Sequence, residues 1–291
     1  MALSYDTLTE RHPCFAKGRH GTTGRCHLPV SPTCNIRCVF CERSINTTEN
    51  RPGVTREVIS PQEAVEAVGK ALKLCKGLEV AGIAGPGDTL ATPYALETFR
   101  LIKRHYPHLI KCMSTNGLLL PEKADEIISA GVDSLTVTVN AVSPEIEAQL
   151  NDGILYHGHR YDGVEAAEIL IHNQLSGIQK IADAGITVKV NTVLVPRING
   201  THIAEIAKQV SRAGATIYNI IPLIPTAKLK NEQAPTCLDL FKARLQAERY
   251  ISVFRHCQRC RADAVGVPGG TDYSSQVYLR RVTAEATFSH G

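Results

Sequence analysis

The stretch Cys34-Asn-Ile-Arg-Cys38-Val-Phe-Cys41 constrains this chain more than any other part of its 291 residues. Three cysteines spaced C-x3-C-x2-C follow the short apolar run that starts at His27. One loop so built can offer three thiolates to three irons of a cubic 4Fe–4S cluster. No fourth ligand lies beside them, so one iron is left open, which points to chemistry rather than electron storage. A structural zinc site wants four ligands in paired spacings. An odd trio also makes no disulfide framework. The cluster reading therefore leads.

Composition narrows the rest. Hydrophobic residues make up 43% and charged residues 21%, a soluble globular balance that allows one large domain with a substantial core. The net charge of +4, from 32 basic and 28 acidic residues, is too even to argue for nucleic acid. No apolar run approaches a membrane span, and the start Met1-Ala-Leu-Ser-Tyr-Asp6 lacks a signal-peptide pattern, so a cytoplasmic protein is expected. Ten cysteines in such a chain read as metal ligands rather than disulfides.

Around the trio the chain alternates strand and helix signals. Residues 1–25 read as an irregular, basic arm. A first strand is expected over Cys26–Val30, with further strands over Leu78–Ala84, Leu109–Ser114, Asp133–Asn140, Ile186–Val195 and Ala215–Leu223. Between them, Ser60-Pro-Gln-Glu63 opens a helix with a capping box, and Gly131, Gly185 and Gly214 close three others. The pattern predicts an α/β partial (β/α)6 TIM barrel over residues 26–223, of parallel strands with right-handed crossovers. Residues 224–270 form an extension with an expected helix over Cys237–Val253, and residues 271–291 read as a patternless, mobile tail.

Function in such barrels gathers at the C-terminal ends of the strands. Gly85-Pro86-Gly87-Asp88, Ser114, Asn116, Asn140 and Asn191 fall at or near those ends. Thr136, Thr138 and Asn140 share one face of their strand, predicted to point inward, while Val137 and Val139 share the other. The bland alternative is equally available for each: polar residues at strand ends are common. Elsewhere, Cys257 and Cys260 form a C-x2-C pair that needs a partner, and Cys14 in His12-Pro-Cys14 is the candidate. Cys112 shares strand parity with Ser114, although a lone strand cysteine is usually a small core residue. Cys75 and Cys237 read as structural. No single catalytic residue emerges.

These motifs together resemble a known family. The trio, with Phe40 before its last cysteine, is similar to the motif of radical S-adenosylmethionine (SAM) enzymes. His12-Pro-Cys14, Arg51-Pro-Gly53, Ala84-Gly-Pro-Gly-Asp88, Ser114-Thr-Asn-Gly-Leu118, Thr136-Val-Thr-Val-Asn140, Lys189-Val-Asn-Thr192 and Cys257-x-x-Cys260-Arg-Ala-Asp-Ala-Val-Gly266 extend the likeness to the NifB family over about residues 11–270. The resemblance implies a maturase that builds the precursor of the nitrogenase iron–molybdenum cofactor. It implies SAM on the Cys34/Cys38/Cys41 cluster, cleaved reductively to a 5′-deoxyadenosyl radical. Two further 4Fe–4S clusters would be substrates, fused into an eight-iron core around a carbide drawn from a SAM methyl group.

The same resemblance gives Cys14, Cys257 and Cys260 to one substrate cluster, and His12 and Cys112 to the other. It lines the SAM amino-acid end with Gly85, Pro86, Gly87 and Asp88, with Asp88 as acceptor for the ammonium. Ser114, Asn116, Asn140 and Asn191 then become contacts to SAM or cluster. Implied partners are a cluster donor, a cofactor scaffold or carrier, and an electron donor such as a ferredoxin. The chain departs from the family at one point: the loop Glu42-Arg-Ser-Ile-Asn-Thr-Thr-Glu-Asn50 contains no cysteine where one is usual. Cys26 is the unassigned thiol available to stand in for it, and Glu42 or Glu49 offers a harder, weaker oxygen ligand.

Overall fold

The computed structural model describes residues 3–16, 22–279 and 286–287. Its centre is one twisted sheet of parallel strands: β1 (Gly24–His27), β2 (Leu78–Ile83), β3 (Ile110–Thr115), β4 (Ser134–Thr138), β5 (Thr187–Leu194), β6 (Ile217–Pro222) and β7 (Ser252–Phe254). They lie side by side in chain order, and β8 (Val265–Gly266) adds antiparallel to the outer edge of β1. The six expected strands are present as an open partial barrel, and β7 is a seventh. Its segment was expected to continue a helix to Val253. The helix, Cys237–Ala247, instead stops short, and Ser252–Phe254 pairs with Ile217–Asn219. The free edge of β6 presents unpaired backbone groups that a short strand can satisfy.

Besides the one-turn helices Pro144–Glu147 and Pro196–Asn199, the α-helices among the described residues are α1 (Tyr5–Arg11), α2 (Pro61–Leu74), α3 (Tyr94–His105), α4 (Leu120–Ala130), α5 (Gly163–Asp183), α6 (Ile203–Arg212), α7 (Cys237–Ala247) and α8 (Ser274–Val277). The start of α2 follows from sequence chemistry. Ser60 accepts the Glu63 N–H, Glu63 reaches back to the Ser60 N–H, and Pro61 occupies the first turn. Ala64, Ala67, Val68 and Ala71 then form the buried face.

Strand parity divides the interior. Leu135, Val137 and Val139 join the core beneath the helices, as do Ala81, Met113, Val188, Val190, Tyr218 and Ile220. Their neighbours on the opposite face line the barrel cavity: Gly82, Cys112, Ser114, Thr136, Thr138, Lys189, Asn191 and Asn219. The inward and outward assignment made from the β4 alternation is therefore the one observed.

Two terminal segments depart from expectation. Residues 5–11 are helical rather than irregular, because Ser4 caps the helix by accepting the Thr7 N–H and buried Leu8 anchors it. Leu8 and Phe15 pack with Val80, Ile110, Ile217 and Phe254, closing the end of the barrel where the strands begin. At the other end of the chain, the supposed tail is ordered through its first nine residues. Tyr278 is 4% exposed and donates to the His27 carbonyl, behind β1. Residues 280–285 and 288–291, like 1–2 and 17–21, lie outside the described residues. No helix among the described residues is long and apolar enough to cross a membrane.

Candidate metal and SAM centre

The cysteine loop is held from several sides. Ile36–Cys38 forms a short strand against Asn151–Tyr156, the first strand of a hairpin completed by His159–Tyr161. The Asn151 side chain accepts the Arg37 N–H at 3.1 Å, and the Val39 N–H reaches the Leu150 carbonyl at 3.0 Å. Thr226 donates to the Phe40 carbonyl at 2.8 Å. Asn116 binds Asn35 at 2.7 Å and lies 3.8 Å from the Cys34 sulfur. The hairpin carried no motif and was not anticipated from the sequence.

The Gly85–Asp88 turn is bound to the start of the same loop. Gly87 N–H donates to the Ser31 carbonyl at 2.7 Å and Asp88 N–H to the Thr33 carbonyl at 2.8 Å. A Cβ on Gly87 would meet the Thr33 oxygen at 2.0 Å, so only glycine permits this approach. The Asp88 carboxylate is already engaged. It accepts from Thr115 Oγ1 at 2.9 Å, the Asn116 N–H at 2.6 Å and the Leu90 N–H at 2.9 Å. Burial raises its pKa and these bonds oppose the rise. Its observed work is to lock the turn against the end of β3.

All the sequence-selected residues line one cavity of about 340 Å³: Cys34, Cys38, Cys41, Pro86, Gly87, Asp88, Ser114, Asn116, Asn140, Asn191, His12, Cys14, Cys112, Cys257 and Cys260, with Gly85 adjoining. Two donor sets thus open on one space. In the first set, burial pushes the Cys34 thiol up to about 12 and raises Cys38 and Cys41. The Arg43 guanidinium, 3% exposed, pulls all three back toward thiolate. In the second set, burial pushes Cys14 up to about 12, and its neighbours Cys260, Cys112 and Cys257 add to the rise. Among the described residues no three His, Cys, Asp or Glu side chains converge tightly enough for a single metal ion. Thiols spread around a cavity suit a cluster, whose ligands attach to separate irons.

The sequence missed four lining residues. His27 is the first. A Cβ on Gly82 would sit 3.1 Å from its ring, so the glycine makes room for it. His27 Nδ1 lies 3.0 Å from the Arg261 carbonyl, which can only accept, so the proton sits on Nδ1. Burial lowers the His27 pKa to about 4, leaving Nε2 with a bare lone pair, the second-shell pattern of a metal-ligating histidine. His12 is the reverse: its Nδ1 accepts the Cys14 N–H at 3.0 Å, and burial holds the ring neutral. Its proton must therefore sit on Nε2, which is buried without a partner. Parity with Arg25 on β1 was the signal that could have found His27.

Glu147 is the second, in the short helix Pro144–Glu147 after β4. It is 1% exposed, burial raises its pKa to about 8, and its Oε2 has no partner. Arg25 and Lys189 are the others. The first donates to Cys260 Sγ at 3.1 Å and to the Gly266 carbonyl.

The substitutes considered for the missing loop cysteine do not face the cavity. Cys26 lies on the outer face of β1, in the core, 3.8 Å from the Tyr278 hydroxyl. Glu49 binds Arg51 and Asn46, and Glu42 is exposed. Asn46 folds the loop on itself: its Oδ1 accepts the Thr48 and Glu49 N–H groups, and its carbonyl receives Arg261.

Residues 28–210 match the Radical SAM superfamily. The chain is 45% identical over 265 residues to the FeMo cofactor biosynthesis protein NifB of Methanocaldococcus infernus, covering 90% of this chain and 87% of that one. It is 45% identical to the protein of the same name from Methanocaldococcus jannaschii, over 89% and 87%. To that of Klebsiella pneumoniae it is 39% identical, over 89% of this chain but 57% of the relative. Among solved structures, Streptococcus suis SuiB aligns with TM-score 0.57 at 11% identity, over 78% of this chain and 48% of that one. Methylornithine synthase aligns with TM-score 0.53 at 13% identity, over 80% and 65%. At such identities they establish the fold alone.

Proposed function

Since the chain belongs to the NifB family of radical SAM proteins, we propose that it fuses two 4Fe–4S substrate clusters into the eight-iron precursor of the nitrogenase cofactor, with a carbide drawn from a SAM methyl group. The observation that carries this reading is the single cavity lined by both donor sets. A radical generator and its metal substrates must share a space that excludes water and oxygen.

Cys34, Cys38 and Cys41 would hold the SAM-binding cluster, with Asn35, Asn116 and the 151–156 strand fixing the loop. That cluster, when bound, supplies the electron that cleaves SAM. Gly85, Pro86 and Gly87 would border the SAM amino-acid end. Asp88 positions that turn rather than receiving the ammonium, because its oxygens already accept three donors. Glu147 Oε2, buried without a partner, is the group available to SAM, whose positive charge would draw the raised carboxyl back toward the accepting carboxylate. Ser114, Asn140 and Asn191 would contact SAM or substrate.

Cys14, Cys257 and Cys260 would hold the first substrate cluster. For the second we assign His27 and Cys112. His12, through its Nε2–H, becomes a hydrogen-bond donor to bound sulfide and, through Nδ1, a brace for Cys14. A low-potential donor such as a ferredoxin, a cluster donor and a cofactor carrier would complete the cycle.

The test is anaerobic reconstitution with SAM labelled at the methyl carbon. S-adenosylhomocysteine, 5′-deoxyadenosine and label extractable in an iron–sulfur core are expected. Deoxyadenosine with a modified organic product and no labelled core would overturn the assembly reading. That outcome would favour a radical SAM enzyme with one auxiliary cluster, which the self-satisfied, thiol-free turn at Asn46 supports. No SAM cleavage by iron-loaded, reduced protein would leave a non-enzymatic carrier.

A further inference from the structure

The barrel interior holds a cation for which the ligand assignment has no use. Lys189, the third residue of β5, faces the cavity and is 5% exposed. Its ammonium lies 5.4 Å from the centre of the Phe15 ring and 4.9 Å from that of Phe254. Its hydrogen bond goes to the Cys14 carbonyl at 3.3 Å. Among the described residues it forms no ion pair, whereas Lys111, equally buried at 5%, has Asp133 at 2.7 Å.

An ammonium carries three donors, and burying one without an anion is costly. Two aromatic faces and one carbonyl offset only part of that cost. The groups that feel the charge are informative. Lys189 draws the Cys14 and Cys112 thiols toward thiolate and further disfavours charge on His12. The ammonium that donates to the Cys14 carbonyl opens on the same cavity as Cys257, Cys260 and, two strands away on β3, Cys112. Its backbone neighbours on the sheet, Thr136 and Ile217, bring no negative charge.

What this arrangement lacks is an anion of the kind these thiols would bind. A 4Fe–4S cube with two ferrous and two ferric irons carries a charge of +2, which three thiolates turn into a net negative one. The Cys14/Cys257/Cys260 cluster is such an anion, and each electron it takes up adds a negative charge that counts strongly where water is excluded. We propose that Lys189 is the fixed countercharge and positioning residue for the anionic iron–sulfur cluster on Cys14, Cys257 and Cys260, donating its free N–H groups to cluster sulfide. This rests on the proposed function, since it needs metal substrate on the second donor set.

The residue then acts without touching the reacting carbon. It steadies the more reduced, more negative state of that cluster. An arginine retains the charge, whereas a methionine keeps the length and the contact with Phe15 and Phe254 but removes it.

The experiment uses the full chain with Cys34, Cys38 and Cys41 all changed to Ala, so that only the second donor set can hold clusters. Iron content and an EPR-monitored redox titration are compared for Lys189, Lys189→Met and Lys189→Arg. The expected result is a Met variant whose reduced fraction at a fixed potential falls at least tenfold, about 59 mV for one electron, with recovery in the Arg variant. Iron lost from the Met variant and kept by the Arg variant supports the same role. Equal midpoints in the Lys and Met proteins overturn it, as does iron lost from both variants, which would mean a packing role. If the Lys189 parent itself takes up no iron, the substrate-site reading fails with it, and iron content alone identifies that case.

Discussion

The two donor sets share a cavity but are built in opposite ways. Cys34, Cys38 and Cys41 come from one eight-residue loop, whose backbone is tied to the 151–156 strand, to Thr226 and to Asn116. Cys14, His27, Cys112, Cys257 and Cys260 come from the N-terminal arm, two strands and the segment after β7. The first set draws all its thiols from that one loop, which the distant segments brace. The second exists only when both ends of the chain close on the barrel, with Leu8 and Phe15 plugging one end and residues 261–266 laid along β1. Local sequence thus gathers the first set, and long-range packing gathers the second.

That contrast can be broken most forcefully by removing one thiol from each set. Cys38→Ala should abolish SAM cleavage by at least about a thousandfold, roughly 4 kcal/mol of barrier. Cys257→Ala should lower iron by about four per chain while leaving reductive SAM cleavage near the parent rate. Deoxyadenosine formation and iron analysis read both, and equal loss of cleavage in the two variants would mean the sets are not separable.

A smaller effect probes the closure of the second set. Arg261 and Asp263 are buried, pair at 2.8 Å, and join loop 46–49 to β1 through the Asn46 and Glu49 carbonyls. Asp263 also accepts the Arg56 N–H at 2.7 Å. Arg261→Ala leaves that buried carboxylate with only the Arg56 guanidinium, 3.9 Å away, and a cost of about 3 kcal/mol is expected in denaturant unfolding. A loss under about 1 kcal/mol would show that the extension is not fastened here.

The smallest concerns pH. In the metal-free protein His27 has its pKa lowered to about 4, mainly by burial, from the ordinary 6.5. A depressed folded pKa means the unfolded chain takes up the proton first. The contribution is therefore intact above about pH 6.5 and is lost as pH falls toward 4. The ring is partly open to the cavity, so about 1–2 kcal/mol is expected rather than the full shift. His27→Gln should flatten that part of the stability profile, whereas an unchanged slope between pH 6.5 and 4 would remove His27 as its source.

How far the sequence reaches is clearest at particular residues. The trio was legible because its ligands fall within eight consecutive residues, and α2 because Ser60, Pro61 and Glu63 satisfy its first turn among themselves. The inward face of β4 followed from side-chain alternation, which depends on the backbone alone. Helix α1 was hidden because its anchor, Leu8, acquires meaning only against Val80 and Ile110. The end of α7 was hidden because the free edge of β6 decides it.

The choice between His12 and His27 shows the division most sharply. Each is a histidine near a cysteine motif, and composition and spacing treat them alike. Only the folded chain puts an amide N–H on one Nδ1 and a carbonyl on the other, and that difference sets which Nε2 has a lone pair to give. The amino-acid sequence by itself determined the radical SAM loop, the βα alternation and the inward faces of the strands, because those depend on neighbours a few residues away. Tertiary structure decided the rest: the seventh strand, the second donor set, the engaged Asp88, and the burial of Glu147 and Lys189. Those depend on burial and on partners distant in the chain, which no local pattern encodes.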